Sequence, residues 1–125
     1  MTVPTELSYT AQHEWIKNDG DLVTIGITQY AADALGDVVY LDLPAVGATI
    51  TAGEVCGEIE STKSVSDLFA PADGDVAQVN ESAVADPGLV NTDPYGQGWL
   101  LKLRIDRMPD VLDAAAYERL LGAGA

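Results

Sequence analysis

The sequence predicts a mainly β fold, a sandwich or flattened barrel of short strands, and three observations carry that expectation. Apolar residues recur with period two in at least five segments, clusters of turn-forming residues cut these runs at short intervals, and only two stretches carry helix signals. The chain has 125 residues, enough for one domain with a core of its own, and residues 1–125 are read as that single domain.

Taken in order, Val23, Ile25 and Ile27 share one face of Leu22–Ile27. Val39, Leu41 and Leu43 share one face of residues 38–43. Val55, Gly57 and Ile59 do so before Lys63, and Val65, Asp67 and Phe69 after it. Trp99, Leu101, Leu103 and Ile105 alternate with Leu100, Lys102 and Arg104, the pattern of a half-buried strand. Turn chemistry separates the runs at Asn18-Asp19-Gly20, at 44–47, at Asp73-Gly74 and at Asp86-Pro87-Gly88. One helix is expected over Gln29–Leu35, after Thr28 and before the cap Gly36; a second, over 114–121, starts from Asp113 and ends at Gly122. Residues 106–110, with Pro109, read as a linker into that last helix. Leu112, Tyr117, Leu120 and Leu121 give the helix an apolar side to lay on the barrel. Gly36-Asp37-Val38 returns as Gly74-Asp75-Val76, each opening a strand, a faint sign of two related halves.

Composition narrows the function. Twenty Asp and Glu against six Lys and Arg give a net charge of −14, which repels nucleic acid and anionic membranes. The acidity either serves solubility alone or favours partners with basic faces, and it keeps copies of the chain apart, as a monomer. No secretory or transit segment and no membrane span is legible, so a cytoplasmic protein is the expectation. The single histidine, His13, cannot build a multi-histidine metal site, and the single cysteine, Cys56, excludes a thiolate cluster. No phosphate loop or nucleophile elbow is present. Catalytic residues and a metal site are therefore not expected.

Lysine usage is more telling. Only Lys17, Lys63 and Lys102 occur. Lys17 sits beside the Asn-Asp-Gly turn and Lys102 on the outer face of a strand; both read as solubility residues. Lys63 lies at the centre of Glu60-Ser61-Thr62-Lys63-Ser64-Val65-Ser66-Asp67, small hydroxyl residues joining two alternating strands, which reads as a hairpin tip over 60–67. A free lysine amine is almost wholly protonated at neutral pH. Lys63 is thus no nucleophile by itself; it is either an ordinary turn lysine or a handle for an enzyme that supplies the activated acyl group.

The segment 55–71, and above all Glu60-Ser61-Thr62-Lys63-Ser64-Val65-Ser66-Asp67-Leu68-Phe69-Ala70-Pro71, resembles the lipoylation segment of the glycine cleavage system H proteins. His13-Glu14-Trp15, Thr24-Ile25-Gly26-Ile27-Thr28, Leu35-Gly36-Asp37 and Leu43-Pro44 match upstream in order. Gly74-Asp75-Val76, Val79-Asn80, Leu89-Val90-Asn91, Pro94-Tyr95-Gly96 and Gly98-Trp99 match downstream. The resemblance implies a lipoyl-type flattened β-barrel of two quasi-equivalent halves, with short helices including a C-terminal one. It implies a carrier rather than an enzyme, with a lipoyl group on Lys63. That arm takes the aminomethyl group of glycine from glycine decarboxylase to the aminomethyltransferase and is reoxidised by dihydrolipoyl dehydrogenase. A lipoyl or octanoyl transferase, or a lipoate ligase, would modify the lysine, and Glu60 is placed to be read by that enzyme.

By position, Glu14 and Asp67 match the carboxylates that hold the loaded arm's amine in relatives. The plainer alternatives are a solvated loop acid for Glu14 and a surface acid near a turn for Asp67. Gln12 and Ala34 depart from relatives that carry Ser and His there. His13 reads as a structural hydrogen-bonding residue beside Trp15, and Cys56 as core filling. Tyr95 either shapes the turn before the last strand or meets a partner. Biotin carriers flank their lysine with methionines, whereas Thr62 and Ser64 stand here. An H-like protein that is not lipoylated, serving as scaffold or acyl relay, is the alternative from another class.

Overall fold

A computed structural model describes residues 3–106 and 108–122; Arg107, within the expected linker, and the outermost residues of the 1–125 domain lie outside that range. Among the described residues nine strands follow one another as β1 (Ser8–Tyr9), β2 (Glu14–Asp19), β3 (Leu22–Ile27), β4 (Val38–Asp42), β5 (Thr49–Ile50), β6 (Val55–Ser61), β7 (Val65–Phe69), β8 (Gly74–Val79) and β9 (Leu101–Arg104). Between them lie the helices α1 (Gln29–Leu35), α2 (Glu81–Ala85) and α3 (Leu89–Thr92), and α4 (Ala114–Gly122) closes the described chain.

The strands form two antiparallel sheets, one in the order β1-β2-β3-β9-β8-β5 and one in the order β4-β6-β7. Ile16, Ile25, Leu41, Ile59, Leu68, Val76, Leu101 and Leu103 meet in one core. A second cluster lies beneath α4, where Tyr9, Trp15 and Tyr117 pack with Val3, Leu7 and Ala114. The close approach at Gly26 explains that glycine: a Cβ there would sit 2.6 Å from the Trp15 indole.

Both expected helices are present. Thr28 Oγ1 accepts from Ala31 N to start α1, and Asp113 Oδ1 accepts from Ala116 N at 2.7 Å to start α4. The structure adds α2 and α3, which period-two reading passes over because each spans barely one turn. Asn80 caps α2, and the expected turn at Asp86-Pro87-Gly88 separates the pair.

Two strand faces differ from expectation, and bulges are the cause. A register shift between Val38 and Tyr40 puts Val38 and Leu41 in the core and leaves Val39 53% exposed. A second shift between Val55 and Gly57 turns Val55 outward, while Cys56 packs on the core, where its reading as core filling puts it. On β7 the buried residue is Leu68, so Val65 and Asp67 occupy the exposed face.

Candidate functional site

Strands β6 and β7 pair with Glu60 opposite Val65, which leaves Thr62, Lys63 and Ser64 as the hairpin tip. Ser61 Oγ accepts from both Lys63 N and Ser64 N at 3.1 Å, and Ser61 N donates to Ser64 O at 2.8 Å. A small hydroxyl thus closes the turn from within and leaves the lysine exposed. Thr62 N donates to Asp37 O at 3.0 Å and ties the tip to the body of the fold.

The lysine stem lies along Gly36, where an added Cβ would come 3.1 Å from Lys63 Cε; this glycine also has φ +82°, outside the ordinary range of residues with a Cβ. Asn91 holds that shelf from below: its Nδ2 donates to Gly36 O and its Oδ1 accepts from Val38 N, both at 2.8 Å.

Beside the tip opens a cavity of about 310 Å³. The hairpin contributes Ser64, Val65, Ser66 and Asp67 to it, α1 contributes Tyr30, Ala31, Ala34 and Leu35, and the entry to β2 contributes Gln12, His13 and Glu14. Glu14 and Asp67 therefore share one cavity, but their environments differ. Asp67 is exposed, whereas Glu14 is 2% exposed, which overturns the alternative of a solvated loop acid.

The Glu14 carboxyl accepts from Thr10 Oγ1 at 3.1 Å and from Phe69 N at 3.2 Å. Burial pushes its pKa up to about 7, against the opposing pull of those two hydrogen bonds. An acid poised there becomes fully ionised when a cation arrives beside it. Lys63 and Glu60 do not line the cavity. Glu60 stands on the outer face of the small sheet, between Tyr40 and Val65, which are 54% and 55% exposed.

His13 forms a hydrogen bond, the kind of role expected of it, its Nδ1 lying 2.8 Å from the Tyr117 hydroxyl. Burial lowers its pKa. Trp15 Nε1 donates to Pro94 O at 2.9 Å, and the Tyr95 hydroxyl accepts from Gln29 N at 3.0 Å. Those bonds favour the turn-shaping reading of Tyr95. Thr10, Tyr30, Ser66 and Asn91 are the residues the sequence did not disclose. Ser66 and Asn91 stand in the segments matched above, but neither reads there as a site residue.

Residues 7–122 match the family model of the glycine cleavage H-protein. The chain belongs to that family. Its members are the lipoyl carriers of the glycine cleavage system. Similar relatives include the glycine cleavage system H protein of Beutenbergia cavernae, 61% identical over 96% of this chain and 97% of the relative. That of Clavibacter sepedonicus is 57% identical over 98% and 99%. A crystal structure of the H protein from Mycobacterium marinum superposes with a TM-score of 0.92, at 48% identity, over 96% of this chain and 99% of that one. The mainly β, lipoyl-type barrel with its C-terminal helix is thus the family's fold.

Proposed function

We propose that Lys63 carries the lipoyl group of this family member, and that the adjoining cavity shelters the arm once it is loaded. One observation supports this above the others: the exposed lysine tip stands next to a cavity holding a buried carboxyl and an exposed one. The residues suit the group, because the tip leaves the amine accessible and apolar side chains of α1, β3 and β6 offer a dry wall to an alkyl chain and its sulfurs.

When bound, the lipoyl group supplies the redox sulfurs and the point of attachment for the one-carbon amine. The protein supplies tether, shelter and countercharge. Lys63 presents its amine at a fixed place for acylation, and Glu60 faces outward beside it for the modifying enzyme to read. Glu14 from within and Asp67 from the rim accept from a primary ammonium, the contact that a charge-assisted hydrogen bond favours. The same tip serves glycine decarboxylase, the aminomethyltransferase and dihydrolipoyl dehydrogenase in turn, since all three must reach one arm.

Tandem mass spectrometry of the chain after incubation with a lipoylating enzyme tests the attachment. All adduct is expected on Lys63, and Lys63→Arg should abolish it. Modification of that variant at the wild-type level overturns the assignment, and native protein without any adduct would favour a scaffold instead.

A further inference from the structure

We infer that the Tyr117 hydroxyl, delivered by α4 from the far end of the chain, is a positioning group for the docked arm because it ties together the two walls of the cavity; the inference rests on the reading that the arm docks there. The hydroxyl lies 2.8 Å from His13 Nδ1 and 2.8 Å from Thr28 Oγ1. Each contact belongs to a different wall. His13 lines the cavity and immediately precedes Glu14. Thr28 caps α1, accepting from Ala31 N at 3.3 Å, and α1 carries Tyr30, Ala31, Ala34 and Leu35 into the cavity.

The wall at His13 needs holding. His13 has φ +68°, and among the described residues it alone has a positive φ without being glycine. A positive φ is uncommon outside glycine, though less so for histidine than for most residues, and it persists where its surroundings over-determine it. Four contacts do so, the most local being its own N donating to Thr10 O at 3.1 Å. The Tyr117 hydroxyl meets its ring nitrogen, Tyr30 lies against its ring with centroids 4.6 Å apart, and Thr28 N donates to its carbonyl at 3.0 Å.

The Thr28–Tyr117 and Tyr117–His13 contacts admit either direction; in one of them Thr28 Oγ1 accepts from Ala31 N and donates to Tyr117, which donates onward to an unprotonated His13 Nδ1. The ring of Tyr117 contributes separately, through packing: it is fully buried and stacked on Tyr9, with centroids 4.8 Å apart and planes 10° from parallel. Removing the hydroxyl alone leaves that packing in place.

The test compares full-length lipoylated, aminomethylated wild type with Tyr117→Phe, Thr28→Val, Thr28→Ser and Glu14→Gln. The docked fraction is read from NMR contacts between arm methylene protons and the His13 and Tyr30 rings. The His13 Nδ1 resonance is followed in the unmodified proteins. Tyr117→Phe should cut the docked-to-free ratio roughly three- to tenfold, the scale of one neutral hydrogen bond, and shift the Nδ1 signal. Thr28→Ser should keep both wild-type values. If Tyr117→Phe does not fold, Thr28→Val, expected to lose docking likewise, decides. Wild-type docking in Tyr117→Phe, with docking lost in Glu14→Gln, overturns the positioning role and leaves the docking reading intact. Wild-type docking in both overturns the roles of Tyr117 and Glu14 alike, whereas no arm contact with either ring in wild type overturns the docking reading and the inference together. Docking lost with an unmoved Nδ1 signal marks a packing effect and also overturns the inference.

Discussion

At Glu14 the protein keeps an acid where water scarcely reaches. Its pKa near 7 in the folded chain, against an ordinary value of 4.5, means that the native state binds this proton more tightly than the unfolded one does. Stability linked to this group is therefore full below about pH 4.5 and falls as pH rises through about 7, by at most about 3 kcal/mol. Glu14→Gln should remove that slope, leaving a protein more stable than wild type at pH 8; melting curves across pH check this. The same variant should shorten the life of the loaded arm at pH 8, roughly tenfold at most for one charge-assisted bond. The difference from wild type should shrink only well below pH 7, because the docked ammonium lowers the Glu14 pKa from its value in the unloaded protein; spontaneous ammonia release measures it. Lys63 was legible in the sequence because it alone among three lysines sits in small hydroxyl residues between two alternating runs. The burial of Glu14 was not, since it depends on Phe69, 55 residues away, and on Thr10 closing over it.

The small sheet of β4, β6 and β7 shows what governs each element. Its inner row sets Leu41 beside Ile59 and Ile59 beside Ser66, while its outer rows run Tyr40–Glu60–Val65 and Asp42–Glu58–Asp67. The bulge on β4 decides membership of these rows. Leu41→Ala should cost about 2–5 kcal/mol by leaving a cavity, whereas Val39→Ala should stay within about 0.5 kcal/mol. Urea unfolding of both variants checks the contrast; equal costs would mean the bulge is misplaced. Alternation could not reveal this, because a period-two pattern assigns Val39 and Leu41 to one face and carries no mark of an inserted residue. Gln29–Leu35, by contrast, is bounded in the sequence by its own cap and its own glycine, and the structure has the same limits.

Across the whole molecule the charge of −14 acts in two directions. It repels itself within the fold and attracts basic surfaces outside it. Raising salt from about 20 mM to about 500 mM shrinks the screening distance severalfold and weakens both effects. The isolated protein should therefore melt at a higher temperature in high salt, while the association proposed with the aminomethyltransferase should slow severalfold. Calorimetry and stopped-flow mixing read the two, and an association rate indifferent to salt would assign the acidity to solubility alone. Tyr117 lies 104 residues from His13 in the chain, and sequence pattern placed it only on an apolar helix face. Its hydroxyl contact required the closed fold to be seen.

With the arm attached at Lys63 as proposed, the bond from Thr62 N to Asp37 O, with the lysine stem resting on Gly36, sets where the swinging part begins. Had the tip been a floppy loop, its slack would add to the arm and spread the sulfurs through a larger search volume. The encounter frequency with any one docked enzyme then falls roughly as the three-halves power of the tether's length. A pivot anchored at the surface also denies the arm the half-space taken up by the protein beneath it. On that proposal the reach belongs to the cofactor, and the aim belongs to the hairpin.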